Sequence, residues 1–74
     1  SDRPSNDHLM ALTPREREVL ELLARGLSYR ETAQSLGIGS STVAHHVRSL
    51  YPKLAANSRS EAVFNALRDG VIRL

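Results

Sequence analysis

The sequence contains no cysteine, no tryptophan and a single phenylalanine. A disulfide framework, a thiolate zinc site and thiol redox chemistry are therefore excluded, and packing and helix caps must hold the fold together. Long hydrophobic runs are missing too. None approaches the roughly 20 apolar residues that span a bilayer, and no signal-peptide pattern opens the chain. The expectation is a soluble cytoplasmic protein with no membrane partner. The chain opens on Ser1 rather than methionine, which reads as an excised piece of something longer. No segment alternates apolar and polar residues with period two, so nothing reads as a strand.

At 74 residues there is room for one domain, most of whose apolar residues must serve one small core. Ten Lys/Arg against eight Asp/Glu leave a formal charge of only +2. The placement of the charge says more than its sum. Glu16, Glu18 and Glu21 crowd the first helical segment, whereas the stretch from Val43 to Lys53 carries His45, His46, Arg48 and Lys53 with no carboxylate. An ordinary solvated helix face would account for that stretch as well as a polyanion partner would.

Glycine and proline are few, four and three, and they punctuate helices. Residues 1–11 are polar and aperiodic and read as a linker or tail, so the domain proper is placed at 12–74. Thr13-Pro14-Arg15-Glu16 is a capping box with proline at the first helical position, and Gly26 supplies a left-handed stop. Ser28-Tyr29-Arg30-Glu31 and Gly37 repeat the pattern, as do Ser58-Arg59-Ser60-Glu61 and Gly70. Helices are expected at about 14–25, 29–36, 40–54 and 59–69. Their apolar stripes are Val19, Leu20 and Leu23; Ala33 and Leu36; Val43, Val47, Leu50 and Leu54; and Ala62, Val63, Ala66 and Leu67. The spacings of three, four and seven are helical, and the fold class is all-α, a four-helix bundle.

The second and third helices are joined by Gly37-Ile38-Gly39. A helix-turn-helix needs a small residue where its helices cross, a positive-φ glycine four positions later, an apolar residue inside the turn, and a branched apolar residue one turn into the second helix. Ala33, Gly37, Ile38 and Val43 meet those needs in order. With Val43, Val47, Leu50 and Leu54 turned inward, helical geometry places Ser41, Ala44, His45 and Arg48 outward. Arg48 can donate a bidentate pair to guanine or hold a phosphate, and His45 can meet a base edge or phosphate. Ser41 and Thr42, near the helix N-terminus, suit phosphate oxygens, or else serve as local caps. Ala44 can touch a thymine methyl.

Enzyme and metal chemistry find no support in the sequence. His45 and His46 are adjacent, so they point about 100° apart on a helix, and His8 lies in the tail. No metal or other cofactor is expected. The serines are accounted for by caps, and no set of nucleophile, base and oxyanion donor is visible.

The segments Leu12 to Leu20, Gly26-Leu27-Ser28, Glu31-Thr32-Ala33, Leu36-Gly37-Ile38, Thr42-Val43, His46, Lys53-Leu54 and Ser58 to Val63 together resemble the LuxR/GerE-type helix-turn-helix family. This is the output domain of many bacterial response regulators and quorum sensors. The resemblance covers about residues 12 to 72. It implies a transcriptional regulator that binds double-stranded DNA, with the third helix in the major groove. Ser28, Tyr29 and Lys53 join the expected DNA contacts. It further implies a homodimer through the fourth helix, at Ala62, Val63, Ala66 and Leu67, with RNA polymerase as a further partner. His46 matches the family's characteristic histidine and is expected to pack half-buried at the helix-turn-helix junction. Two other readings stay open: region four of a sigma factor, and a degenerate helix-turn-helix that serves only protein interaction or dimerisation.

Three positions depart from the family pattern. Ala44 stands where lysine is common, which removes one contact to DNA. Thr32 replaces a larger aliphatic residue, so the core is expected to be underfilled there. Pro52 sits in the last turn of the third helix, which is expected to kink or end near Tyr51.

Overall fold

The structure is a computed structural model that describes residues 11–74. Apart from Ala11, the expected tail, His8 included, lies outside the described residues. Four helices follow one another: α1 (Pro14–Ala24), α2 (Tyr29–Leu36), α3 (Ser40–Lys53) and α4 (Arg59–Arg68), with no strand among the described residues. The all-α expectation holds, with helix boundaries within about a residue of those expected.

Both expected boxes at the first two helices form. The Thr13 hydroxyl accepts from the amide of Glu16 at 3.1 Å, and the Glu16 carboxylate accepts from the amide of Thr13 at 2.9 Å. Ser28 and Glu31 repeat this at 3.0 and 2.9 Å. The third box differs. Ser58 accepts from the amide of Glu61 at 3.2 Å, but the Glu61 carboxylate takes the amide of Asn57 at 2.7 Å, one residue beyond the cap. No side chain caps α3, whose N-cap is Gly39.

The helix stops rest on left-handed residues. Gly37 turns the chain between α2 and α3 at φ +71°, where a side chain would carry a steric cost. At the end of α3 the same task falls to Ala55, at φ +54°, and the amide of Ala56 closes the turn on the carbonyl of Tyr51 at 3.0 Å. Pro52 does not stop α3 near Tyr51 as expected: the helix continues to Lys53. Proline in the last turn forfeits only the single bond that its amide would have given the carbonyl of Arg48, and Ala55 ends the helix soon after.

Val19, Leu20 and Leu23 of α1 meet Ala33 of α2, Val43, Val47 and Leu50 of α3, and Ala62 and Ala66 of α4 in one core, closed by Leu12, Leu54, Ala56 and Ile72. Helix α3 packs chiefly on α1 and α2, and α4 packs on α1. Thr32 is fully enclosed, and its hydroxyl finds no partner. Its departure from the family pattern therefore leaves an unpaired buried oxygen. Polar side chains tie the ends together. The Arg59 guanidinium donates to the carbonyls of Leu23 and Leu27, both at 2.7 Å, and Asn65 donates to that of Leu54 at 2.8 Å. These bonds tie α4 to the end of α1, to the connection that follows it and to the end of α3.

Candidate nucleic-acid interface

Helix α3 presents two faces. Val43 and Leu50 are wholly buried and Val47 nearly so, which fixes the rotation of the helix about its own axis. Ser41, Thr42, His45 and Arg48 consequently stand exposed, and Ala44 lies half-buried at the edge of that face. The helix carries no carboxylate from Ser40 to Lys53. Its first turn lacks a side-chain cap, so the hydroxyls of Ser41 and Thr42 are not spent there. Uncapped amides, hydroxyls and the positive end of the helix dipole together favour a phosphate.

Arg48 has no carboxylate within salt-bridge distance among the described residues, so its five-donor fork is available to a ligand. His46 is half-buried, as its junction position implied. Its ring meets that of His45 edge-on, with centroids 5.9 Å apart and planes at 62°. No metal-ligating cluster forms among the described residues.

The flanking residues are placed differently. Tyr29, in the first turn of α2, is 37% exposed, and its phenol lies near that of Tyr51. Burial pushes the Tyr51 phenol above its usual range, the neighbouring Tyr29 phenol adds to that, and Arg59 opposes it. The hydroxyl of Ser28 is engaged as a cap acceptor but keeps its proton to donate. Lys53 is turned inward: its ammonium lies 2.8 Å from the carboxylate of Glu16.

Sequence reasoning missed this last pair. Glu16 is only 3% exposed, and its carboxylate takes Ser49 at 2.6 Å, Lys53 at 2.8 Å and the Thr13 amide at 2.9 Å. Burial alone would raise the pKa of this acid. The bonds from Lys53, Ser49 and Thr13 and the Lys53 charge outweigh it and hold the group down at about 2. A signal was available, because Glu16 lies on the same stripe as Val19, Leu20 and Leu23, and a carboxylate on a core-facing stripe needs a partner.

The expected dimer face needs correction. Ala62 and Ala66 are fully buried in the core and cannot offer edges to a partner. The outward apolar residues of α4 are Phe64, 64% exposed, and Leu67, 38% exposed, with Val63 half-buried beside them. Phe64 escaped notice in the sequence because it falls outside the inward stripe. The Arg68 guanidinium sits 5.8 Å from the centre of its ring.

No helix among the described residues is long and apolar enough to cross a membrane. Comparison with known proteins agrees with this geometry. The family model for bacterial regulatory proteins of the luxR family, GerE, matches residues 10–66. The chain is 48% identical over 61 residues to an HTH-type transcriptional regulator of Aeromonas salmonicida, covering 82% of this chain and 31% of that protein. It is 43% identical over 63 residues to the spore germination protein GerE of Bacillus subtilis (strain 168), covering 85% of each. The solved structure of the response regulator ChrA, from a heme-sensing two-component system, superposes with a TM-score of 0.81 at 39% identity, covering 84% of this chain and 31% of that one. A solved structure of the transcription factor GerE gives 0.75 at 39% identity, covering 80% and 88%. GerE aside, the chain spans about a third of the length of these regulators. The chain belongs to the luxR family of bacterial regulatory proteins, whose DNA-binding helix-turn-helix it forms with α2 and α3.

Proposed function

We propose that this domain binds duplex DNA in a sequence-specific manner with α3 in the major groove, as the output domain of a bacterial two-component response regulator acting in the cytoplasm. One observation carries the reading: on α3 the buried valines and leucine leave an acid-free face of Ser41, Thr42, Ala44, His45 and Arg48 turned to solvent. Arg48 reads guanine, Ala44 and His45 contact neighbouring base edges, and Ser41 and Thr42 hold phosphates beside the helix N-terminus. Ser28 and Tyr29 hold the flanking backbone. Lys53, committed to Glu16, contributes through the scaffold. The likeness to a response regulator supports the two-component assignment, and RNA polymerase is the expected transcriptional partner.

Two copies pair through the exposed Phe64 and Leu67 of α4, with the half-buried Val63 beside them, and meet half-sites about 10 base pairs, or a multiple of that, apart. Inserting about five base pairs, half a turn, between selected half-sites abolishes cooperative binding in this arrangement, and cooperativity that survives the insertion refutes it. The test of DNA reading is Arg48→Ala at a duplex selected from a random pool. The expected cost is about 1–3 kcal/mol of binding with an unchanged melting temperature. Parental affinity in that variant would remove Arg48 from the interface.

A further inference from the structure

We propose that Glu16 is a positioning residue for DNA recognition, clamping Ser49 and Lys53 of α3 to the first turn of α1 and thereby fixing the pose in which Arg48 and His45 meet the duplex. The inference rests on the reading that α3 enters the groove. Ser49 and Lys53 lie four residues apart, one turn of α3, on the side facing α1. One carboxylate receives both: Oε2 accepts from the Ser49 hydroxyl at 2.6 Å and Oε1 from the Lys53 ammonium at 2.8 Å. Oε1 also accepts from the amide of Thr13 at 2.9 Å, so the acid is itself held rigidly at the start of α1. Two bonds a turn apart add directional restraints on the axial position and the rotation of the helix to the one its buried Val43, Val47 and Leu50 already set.

The geometry matters because Arg48 precedes Ser49 directly. A rotation of α3 by about 10° carries a side-chain tip on its surface by roughly 1 Å, enough to spoil a bidentate pair whose bonds tolerate only a few tenths. The same arrangement removes Lys53 from the phosphate footprint. Its ammonium is committed inward, and its charge serves to fix the reading helix rather than to neutralise DNA.

The experiment compares matched and random duplexes for the 74-residue chain carrying Glu16→Gln, Ser49→Ala, Lys53→Met or Arg48→Ala, each kept well below its melting temperature. Loss of stability lowers the folded fraction and weakens both duplexes alike, leaving their affinity ratio untouched. Loss of positioning lowers the ratio. Glu16→Gln is expected to cut the ratio about tenfold, the worth of one good base contact, with random-duplex affinity nearly unchanged. Lys53→Met is expected to keep the parental salt dependence, whereas loss of a phosphate contact lowers the slope by about 0.9. An unchanged ratio in folded Glu16→Gln, or a slope reduced by about one in Lys53→Met, overturns the inference. Should Glu16→Gln fail to fold, Ser49→Ala decides by the same ratio, since it deletes one bond and leaves the ion pair. Arg48→Ala separates the two layers: if it too leaves the ratio unchanged, the reading of α3 as the groove helix fails rather than the clamp.

Discussion

Thr32 and Ala55 are two places where single residues work against the fold. The Thr32 side chain is wholly buried, and its hydroxyl has no hydrogen-bond partner among the described residues. An unpaired buried hydroxyl costs about 1–3 kcal/mol, and valine has nearly the same shape without it. Thr32→Val is expected to raise the unfolding free energy by about 1 kcal/mol in urea titration. A loss of stability would mean that the hydroxyl is satisfied, for instance by the carbonyl one turn back. Ala55 is the only non-glycine residue with positive φ among the described residues, at +54°. Glycine enters that region freely, so Ala55→Gly is expected to stabilise by up to about 1 kcal/mol, net of its greater entropy in the unfolded chain. A destabilised variant would contradict the left-handed turn. Neither feature is legible in the sequence. Thr32 stands out there only as an unusual side chain, and nothing in Leu54-Ala55-Ala56 announces a left-handed turn.

The helices themselves are legible because their ends are written in local chemistry. Thr13, Ser28 and Ser58 each lie three residues before a glutamate, and each accepts from the amide of that glutamate. Thr13→Ala is expected to cost about 0.5–2 kcal/mol in thermal or urea unfolding, and an unchanged transition would place the start of α1 elsewhere. Proline proved a weaker sign than glycine, since α3 carries Pro52 within its final turn and runs on to Lys53. Between elements the sequence is less telling, because the Glu16 clamp joins residues that only tertiary packing brings together. Its carboxylate has a folded pKa near 2, below the value of 4.5 for a free glutamate. A depressed carboxylate stabilises the fold fully above the unfolded value, and that stability is lost as pH falls toward the folded one. The contribution is on the order of 3 kcal/mol, lost between about pH 5 and pH 2. Unfolding free energies of the parent should fall more steeply over that window than those of Glu16→Gln. Parallel pH profiles would show that the carboxylate is not clamped in solution.

At the scale of the molecule, the stripes of apolar residues predict both the bundle and the face of α3 left to solvent. Val43, Val47 and Leu50 can be inward only if Ser41, His45 and Arg48 are outward, so the exposed set of the interface follows from periodicity. The surface of α4 could not be read the same way. Ala62 and Ala66 fit an inward stripe and an outward contact equally well on paper, and only the close approach of α4 to α1 spends them on the core. Phe64, by contrast, is left to water although it is the largest apolar side chain on the helix. The molecule thus offers a polar, acid-free face on α3 and an apolar one on α4, and the two suit different partners. The most direct measurement is the change in backbone amide resonances when a short duplex is added to the labelled chain. Binding through α3 predicts the largest changes from Ser40 to Arg48 and at Ser28 and Tyr29. Changes confined to Val63, Phe64 and Leu67, with α3 silent, would contradict it.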